Sequence, residues 1–374
     1  MPSPIIRAAN RLGLNYQNEA VSLGPAPSPI IDAHLHLRGT ESVQLFAQAA
    51  SWFGINQFWS MTPWDHVENV HAVLGERVQF IAVPDWGSED PVHAMGDGFL
   101  QRIESFRNIG ADLVKFWTAP RARDIGMEAG VPDLMHFDGP HRQAQMTLAV
   151  ELGMGIMTHV GDPDTWFQTT YSDQSRYGTK LDQYEPFERA MTQHPVPWLA
   201  AHMGGWPEDL EFLDGLLTRH PLLHLDTSAT KWMVRELSRH SPAECLDFFS
   251  RWQGRILFGS DIVVQPEHLA PVGAGARPAQ ASSPEEALEL YASRYWALRT
   301  LFESDYVGES PIADPDLAMV DPAHAKAMDA PMLSGKHLPH PVLKSIYHDA
   351  ACGLITRLRQ SHHAASAGTH PPTA

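Results

Sequence analysis

Residues 30–37 read IIDAHLHL. In a strand, side chains two apart share a face. This spacing sets His34 and His36 side by side and turns Ile31, Ala33, Leu35 and Leu37 the other way. The apolar set can be buried without cost. The imidazoles cannot, because a polar group in an apolar interior needs a partner. Two neutral imidazoles on one face are half of a metal site, and hydrogen-bonded histidines are the plainer alternative.

Seven more apolar runs of strand length follow: 55–61, 78–84, 111–117, 154–159, 197–202, 222–227 and 255–261. Each is succeeded by a stretch long enough for a helix. Regular strand–helix alternation predicts a parallel sheet and an α/β protein. Eight such units in about 230 residues have the size of a closed (β/α)8 TIM barrel. The competing doubly wound sheet lacks its signature, since no GxGxxG turn follows the first run.

Polar residues recur where these runs end. His159 closes GMGIMTHVGD (153–162), His202 closes WLAAHMGGW (198–206) and Asp261 closes RILFGSDI (255–262). In a barrel the C-terminal strand ends form the active site. In LLHLDTS (222–228), His224 faces inward with Asp226 and Ser228 only if the strand phase allows it. The histidines at 66, 71, 136, 141, 194, 220 and 240 show no converging spacing.

With HxH on the first strand and TH, AHxGG and FGSD at later strand ends, the chain resembles the amidohydrolase superfamily. More narrowly, it resembles the amidohydrolase-related branch that includes aminocarboxymuconate semialdehyde decarboxylase and the aromatic-acid decarboxylases. The resemblance runs from about residue 30 to 358 and ends in a closing helix, VLKSIYHDAACGLI (342–355). It implies that His34, His36, His159 and Asp261 are metal ligands. It also implies that Asp261 and His202 are catalytic, acting beside a metal-bound water whose pKa the cation lowers to about 7. One divalent metal is expected. Zinc suits imidazole and carboxylate, and manganese or iron fits as well. Lys115, in ADLVKFWTAP (111–120), matches the lysine that is carboxylated and bridges a second metal in binuclear members. The alternative is a lysine paired with Asp85 or Asp112.

Three functions remain open at this level. The first is a metal-dependent hydrolase acting on a small molecule. The second is a non-oxidative decarboxylase, a carbon–carbon lyase for an aromatic or muconate-type acid, using the same site. The third is an inactive barrel that serves as a binding protein. Residues 162–188, rich in aromatics, read as a lid after the fifth strand, with Arg176 placed to bind a substrate carboxylate. Trp86, Trp117 and Trp206 stand near strand ends and suit a planar or partly apolar substrate.

Composition narrows the partners. The 374 residues carry a formal charge of −17. That balance argues against nucleic acid and anionic membrane, both of which need a basic face. The two cysteines, Cys245 and Cys352, form neither a CxxC pair nor a disulfide framework. No signal-peptide pattern opens the chain, so a cytoplasmic location is expected. Neither a P-loop nor a GxSxG elbow is present. Residues 1–29 read as an N-terminal arm, suited to a homodimer contact such as the family commonly makes, and 30–359 as the barrel. An insertion at about 262–340 is expected to fold over the mouth. It carries a Gly/Pro/Ala-rich loop (270–284) and an amphipathic helix (285–304). Residues 360–374 read as a disordered tail.

Overall fold

A computed structural model describes residues 6–270 and 280–367 of the chain. The fold is α/β, with a nine-stranded parallel sheet. The strands are β1 (Ile30–Leu37), β2 (Ile55–Ser60), β3 (Val78–Ala82), β4 (Leu113–Trp117), β5 (Gly155–His159), β6 (Trp198–Ala200), β7 (Leu223–Asp226), β8 (Ile256–Leu257) and β9 (Ile262–Val264). The chain divides into two compact units.

The first unit takes residues 1–60, 65–78 and 227–348. In it β1 pairs in parallel with β2 and with β9. The eighth apolar run is not one strand. It breaks between β8 and β9, and Asp261 lies in the break at a left-handed φ of 59°. β1 departs from strict alternation too, because its register against β2 shifts between Asp32 and Leu35. Such a shift is a β-bulge or a similar irregularity, and it re-aims the side chains around it.

The long helix Pro284–Glu303 differs from its expectation. It is buried on nearly every side, including Leu290, Tyr291, Tyr295, Trp296, Leu298, Leu301 and Phe302, and it is a core element of this unit. Its rings pack on Phe46 of the helix Glu41–Trp52, at 5.9 Å for Tyr291 and 6.1 Å for Tyr295. Its buried guanidinium is met. Arg299 forks onto Glu303 and donates to the carbonyls of Gly24 and Phe53. The arm also belongs to this unit. Its helix Tyr16–Leu23 holds the Trp296 indole through Glu19 (3.2 Å), and Arg7 pairs with Glu289 (3.0 Å). Most of the Gly/Pro/Ala-rich loop, 271–279, lies outside the described residues, as do 1–5 and 368–374. A short antiparallel pair, β10 (Val307–Glu309) and β11 (Met332–Ser334), completes the insertion.

The second unit takes residues 61–64, 79–226 and 349–374. Strands β3 to β7, all but the first residue of β3 lying in this unit, pair successively in parallel. β6 is shorter than its apolar run and stops at Ala200. His202 therefore sits in a turn beyond it, at φ 58°. The helix Ala350–Ala367 continues past residue 360, where a tail was expected to begin. It is tied to this unit by Arg359, which donates to Asp112 (3.1 Å). The helical segment expected from residue 342 comes in three parts: His340–Lys344, a π-turn at Ser345–Asp349, and Ala350–Ala367. Within the first unit, the Phe258 amide donates to the Ile346 carbonyl (2.8 Å). That bond draws one carbonyl out of the helical ladder where it widens. No helix among the described residues is long and apolar enough to cross a membrane.

Candidate metal centre and its surroundings

In the first unit the bulged strand and the β8–β9 break bring three donors together. The Nε2 atoms of His34 and His36 lie 3.4 Å and 3.3 Å from Oδ1 of Asp261. The ligand atoms of the three residues all fall within 4.8 Å of one another. Two imidazoles and a carboxylate at this spacing fit a divalent cation of the zinc type. His34 is fully buried, while His36 and Asp261 are half-buried and reachable.

Hydrogen bonds from elsewhere in this unit fix the donors. Ser228 Oγ meets Nδ1 of His34 at 3.0 Å, which leaves Nε2 facing Asp261. The amide of Asp261 donates to the carbonyl of His34 (2.9 Å). Asp32 is wholly buried, and its carboxylate accepts four bonds. They come from the amides of His34 (3.1 Å) and Ser260 (3.0 Å), from Ser260 Oγ (2.5 Å) and from Tyr295 Oη (2.9 Å). Burial pushes the Asp32 pKa up to about 7 against the lowering effect of these donors. The Tyr295 phenol is raised by burial and then by the neighbouring carboxylate.

His159 and His202 belong to the second unit. Their rings lie 4.4 Å apart, edge to face. His159 Nε2 is 2.8 Å from Oδ1 of Asp162, whose Oδ2 accepts from Tyr171 Oη at 2.8 Å. A carboxylate on one ring nitrogen fixes the tautomer of the imidazole. The His202 amide donates to Asp226 (2.9 Å). His224 turns Nδ1 to the carbonyls of Trp198 and Leu222. Lys115 is buried in β4 opposite Met157. Asp112, one expected partner for it, is engaged by Arg107 (3.0 Å) and Arg359.

The segment 162–188, read as a lid, packs on itself and on Trp206. Lys180 is buried, pairs with Asp164 at 2.7 Å and lies 4.7 Å over the Trp206 ring. Trp206 stacks on Tyr184. Tyr171 packs against Trp166, Phe167 and Tyr177. Arg176, read as a carboxylate binder, is paired with Asp124 at 2.7 Å. An exposed guanidinium is drawn to whichever carboxylate the fold brings near, and sequence distance conceals that choice. Trp117 behaves closer to expectation, lying edge-on to His159 (6.4 Å) and to Trp86 (5.8 Å).

Sequence reasoning passed over Asp32, Asp162 and the individual bonds of Ser228 and Asp226. Asp162 had a signal, standing three residues beyond His159 at the start of a loop. Asp32 had a weaker one, since a carboxylate inside an apolar strand demands buried donors.

The loops after β5 and β6 meet at Gly205 and Gly161. A Cβ on Gly205 would lie 2.3 Å from the Gly161 carbonyl oxygen, and φ there is +82°. Gly205→Ala therefore combines backbone overlap with a left-handed residue, and about 2–5 kcal/mol of stability should be lost. A urea midpoint shift measures it, and an unchanged midpoint would contradict this packing.

No family model matches the chain, and no curated protein does. The chain is similar to solved structures of amidohydrolase-type enzymes. A dihydroorotase from Campylobacter jejuni shares 12% identity at a TM-score of 0.46, covering 87% of this chain and 83% of that one. A probable 2-pyrone-4,6-dicarboxylic acid hydrolase from Acinetobacter baumannii shares 12% at 0.40, covering 78% and 99%. A 2,6-dihydroxybenzoate decarboxylase from Rhizobium shares 13% at 0.37, covering 72% and 99%. Hydrolases and decarboxylases stand side by side here, and at such scores neither decides what this chain does.

Proposed function

We propose that the chain is a metal-dependent hydrolase acting on a small molecule, with its divalent cation held by His34, His36 and Asp261. One observation carries the reading: those three ligand atoms converge within 4.8 Å. His159 as a further ligand, and His202 as a catalytic group, come into it from the sequence resemblance. A divalent cation bound there supplies Lewis acidity to a reacting oxygen. Asp261 takes a proton from the attacking water and returns it to the leaving group. His202 orients the water or polarises the substrate oxygen. Hydrolysis is preferred to decarboxylation on a specific ground. Arg176, the cation offered to a departing carboxylate, is occupied by Asp124.

The test is a metal assay of the purified chain followed by a substrate panel. Lactones, esters and amides are scored for hydrolysis, and aromatic acids for CO2 release. We expect about one metal per chain and turnover in the hydrolytic arm alone. Release of CO2 without hydrolysis would replace the proposal by a decarboxylase. A chain without metal and without turnover would leave a binding barrel.

A further inference from the structure

Two of the three donors depend on irregular backbone. His34 lies within the register shift of β1, and Asp261 occupies the left-handed region in the β8–β9 break. A non-glycine residue held there costs on the order of 1–3 kcal/mol and persists only where its surroundings over-determine it. Those surroundings are on hand. Ser260, just before Asp261, donates amide and hydroxyl to Asp32, and its Oγ also accepts from the Ile262 amide at 3.3 Å, just after. The Ser260 carbonyl accepts from Thr230 Oγ1 at 3.0 Å. Asp32 also takes the amide of His34, which lies within that shift. Its remaining partner comes from far along the chain: Tyr295, on the helix Pro284–Glu303, donates at 2.9 Å. The Tyr295 ring is packed among Phe46, Phe53 and Phe258, so the hydroxyl is aimed by a rigid core.

We infer that Tyr295 is a positioning residue for the metal centre, acting through Asp32 and Ser260 on the backbone that carries His34 and Asp261. The inference rests on the reading of those residues as metal ligands. The helix Pro284–Glu303 thereby contributes to cation affinity without supplying a ligand. The physical route is ordinary. A buried carboxylate with four donors is rigid, and deleting one donor lets the bulge and the break relax. Outer hydrogen bonds around metal ligands are worth about 10–100-fold in affinity when removed.

The experiment compares two phenylalanine variants of the full chain. Tyr295→Phe removes the hydroxyl and keeps the ring. Tyr347→Phe removes an equally buried hydroxyl that donates to Glu303 at 2.7 Å, at the end of the same helix, and not to Asp32. Zinc affinity is measured by chelator competition, and the stability of metal-free protein by urea unfolding. Tyr295→Phe should weaken zinc binding about 10-fold or more and shift the visible absorption of the cobalt-substituted protein. Tyr347→Phe should leave both unchanged, though both variants lose comparable stability. Ser260→Ala, which cuts the same link one step on, should weaken zinc as Tyr295→Phe does. Unchanged zinc affinity in Tyr295→Phe and Ser260→Ala overturns the inference while the metal centre stands. Equal weakening in Tyr295→Phe and Tyr347→Phe overturns it as well, because the effect is then general softening of the core. A wild-type chain that binds no zinc removes the metal centre first, and the inference with it.

Discussion

His36→Ala should emerge from purification with its metal gone and no measurable turnover. The variant is a clean probe because the His36 side chain is 30% exposed, whereas His34 is almost wholly buried. Truncation at 36 therefore opens no core cavity, and the metal-free stability should change by less than about 1 kcal/mol. What it removes is one of three converging donors, whose Nε2 stands 3.3 Å from Asp261 Oδ1. The surviving His34 and Asp261 present one imidazole and one carboxylate. That loss should exceed the 10–100-fold that an outer hydrogen bond is worth, so zinc affinity should fall more than about 100-fold. Elemental analysis and chelator competition read the result directly. Full occupancy in His36→Ala would mean that the cation lies elsewhere.

Why this site was legible in part follows from how each residue is held. The HxH of β1 announces itself because both imidazoles and the apolar alternation lie in one run of eight residues. Strand positions were legible for the same reason, since every one of the eight apolar runs contains strand. The bulge was not legible. Beside it Ser260 and Tyr295 meet Asp32 across 228 and 263 residues of sequence, and no local period encodes that meeting. The break at Asp261 was hidden likewise. An apolar run looks continuous whether or not one residue in it turns left-handed, and only the Asp32–Ser260 bonds show why this one does.

Ion pairs were the least legible. Arg176 was read as a binder of substrate carboxylate, and its partner Asp124 sits 52 residues away on the helix Ala122–Glu128. The helix Pro284–Glu303 misled for the opposite reason. Its charged residues suggested a wet face, yet Arg299 and Glu303 satisfy each other and let the helix be buried nearly all round. Paired charges break the link between polarity and exposure on which amphipathic reasoning rests.

Asp261→Asn should separate holding a cation from using it. Asparagine is close in shape, keeps one carbonyl oxygen as a donor atom, and is among the residues that tolerate the left-handed region best. The φ of 59° and the bond from amide 261 to the His34 carbonyl should therefore survive. What asparagine cannot do is accept a proton. If Asp261 is the group that takes the water's proton, kcat should fall about 10²–10⁴-fold at saturating zinc, the range that general acid–base groups contribute. KM should move little, because the substituted atom acts in the transition state more than in substrate binding. Zinc affinity will drop as a carboxylate charge leaves, so the rate must be read at concentrations that restore one metal per chain. Asp261→Ala is the informative companion. It frees the space and strains the same φ without offering a ligand oxygen, so it should lose metal and rate together. If Asp261→Asn at full occupancy turns over within tenfold of wild type, the proton is carried by another residue, and Asp261 is a ligand alone.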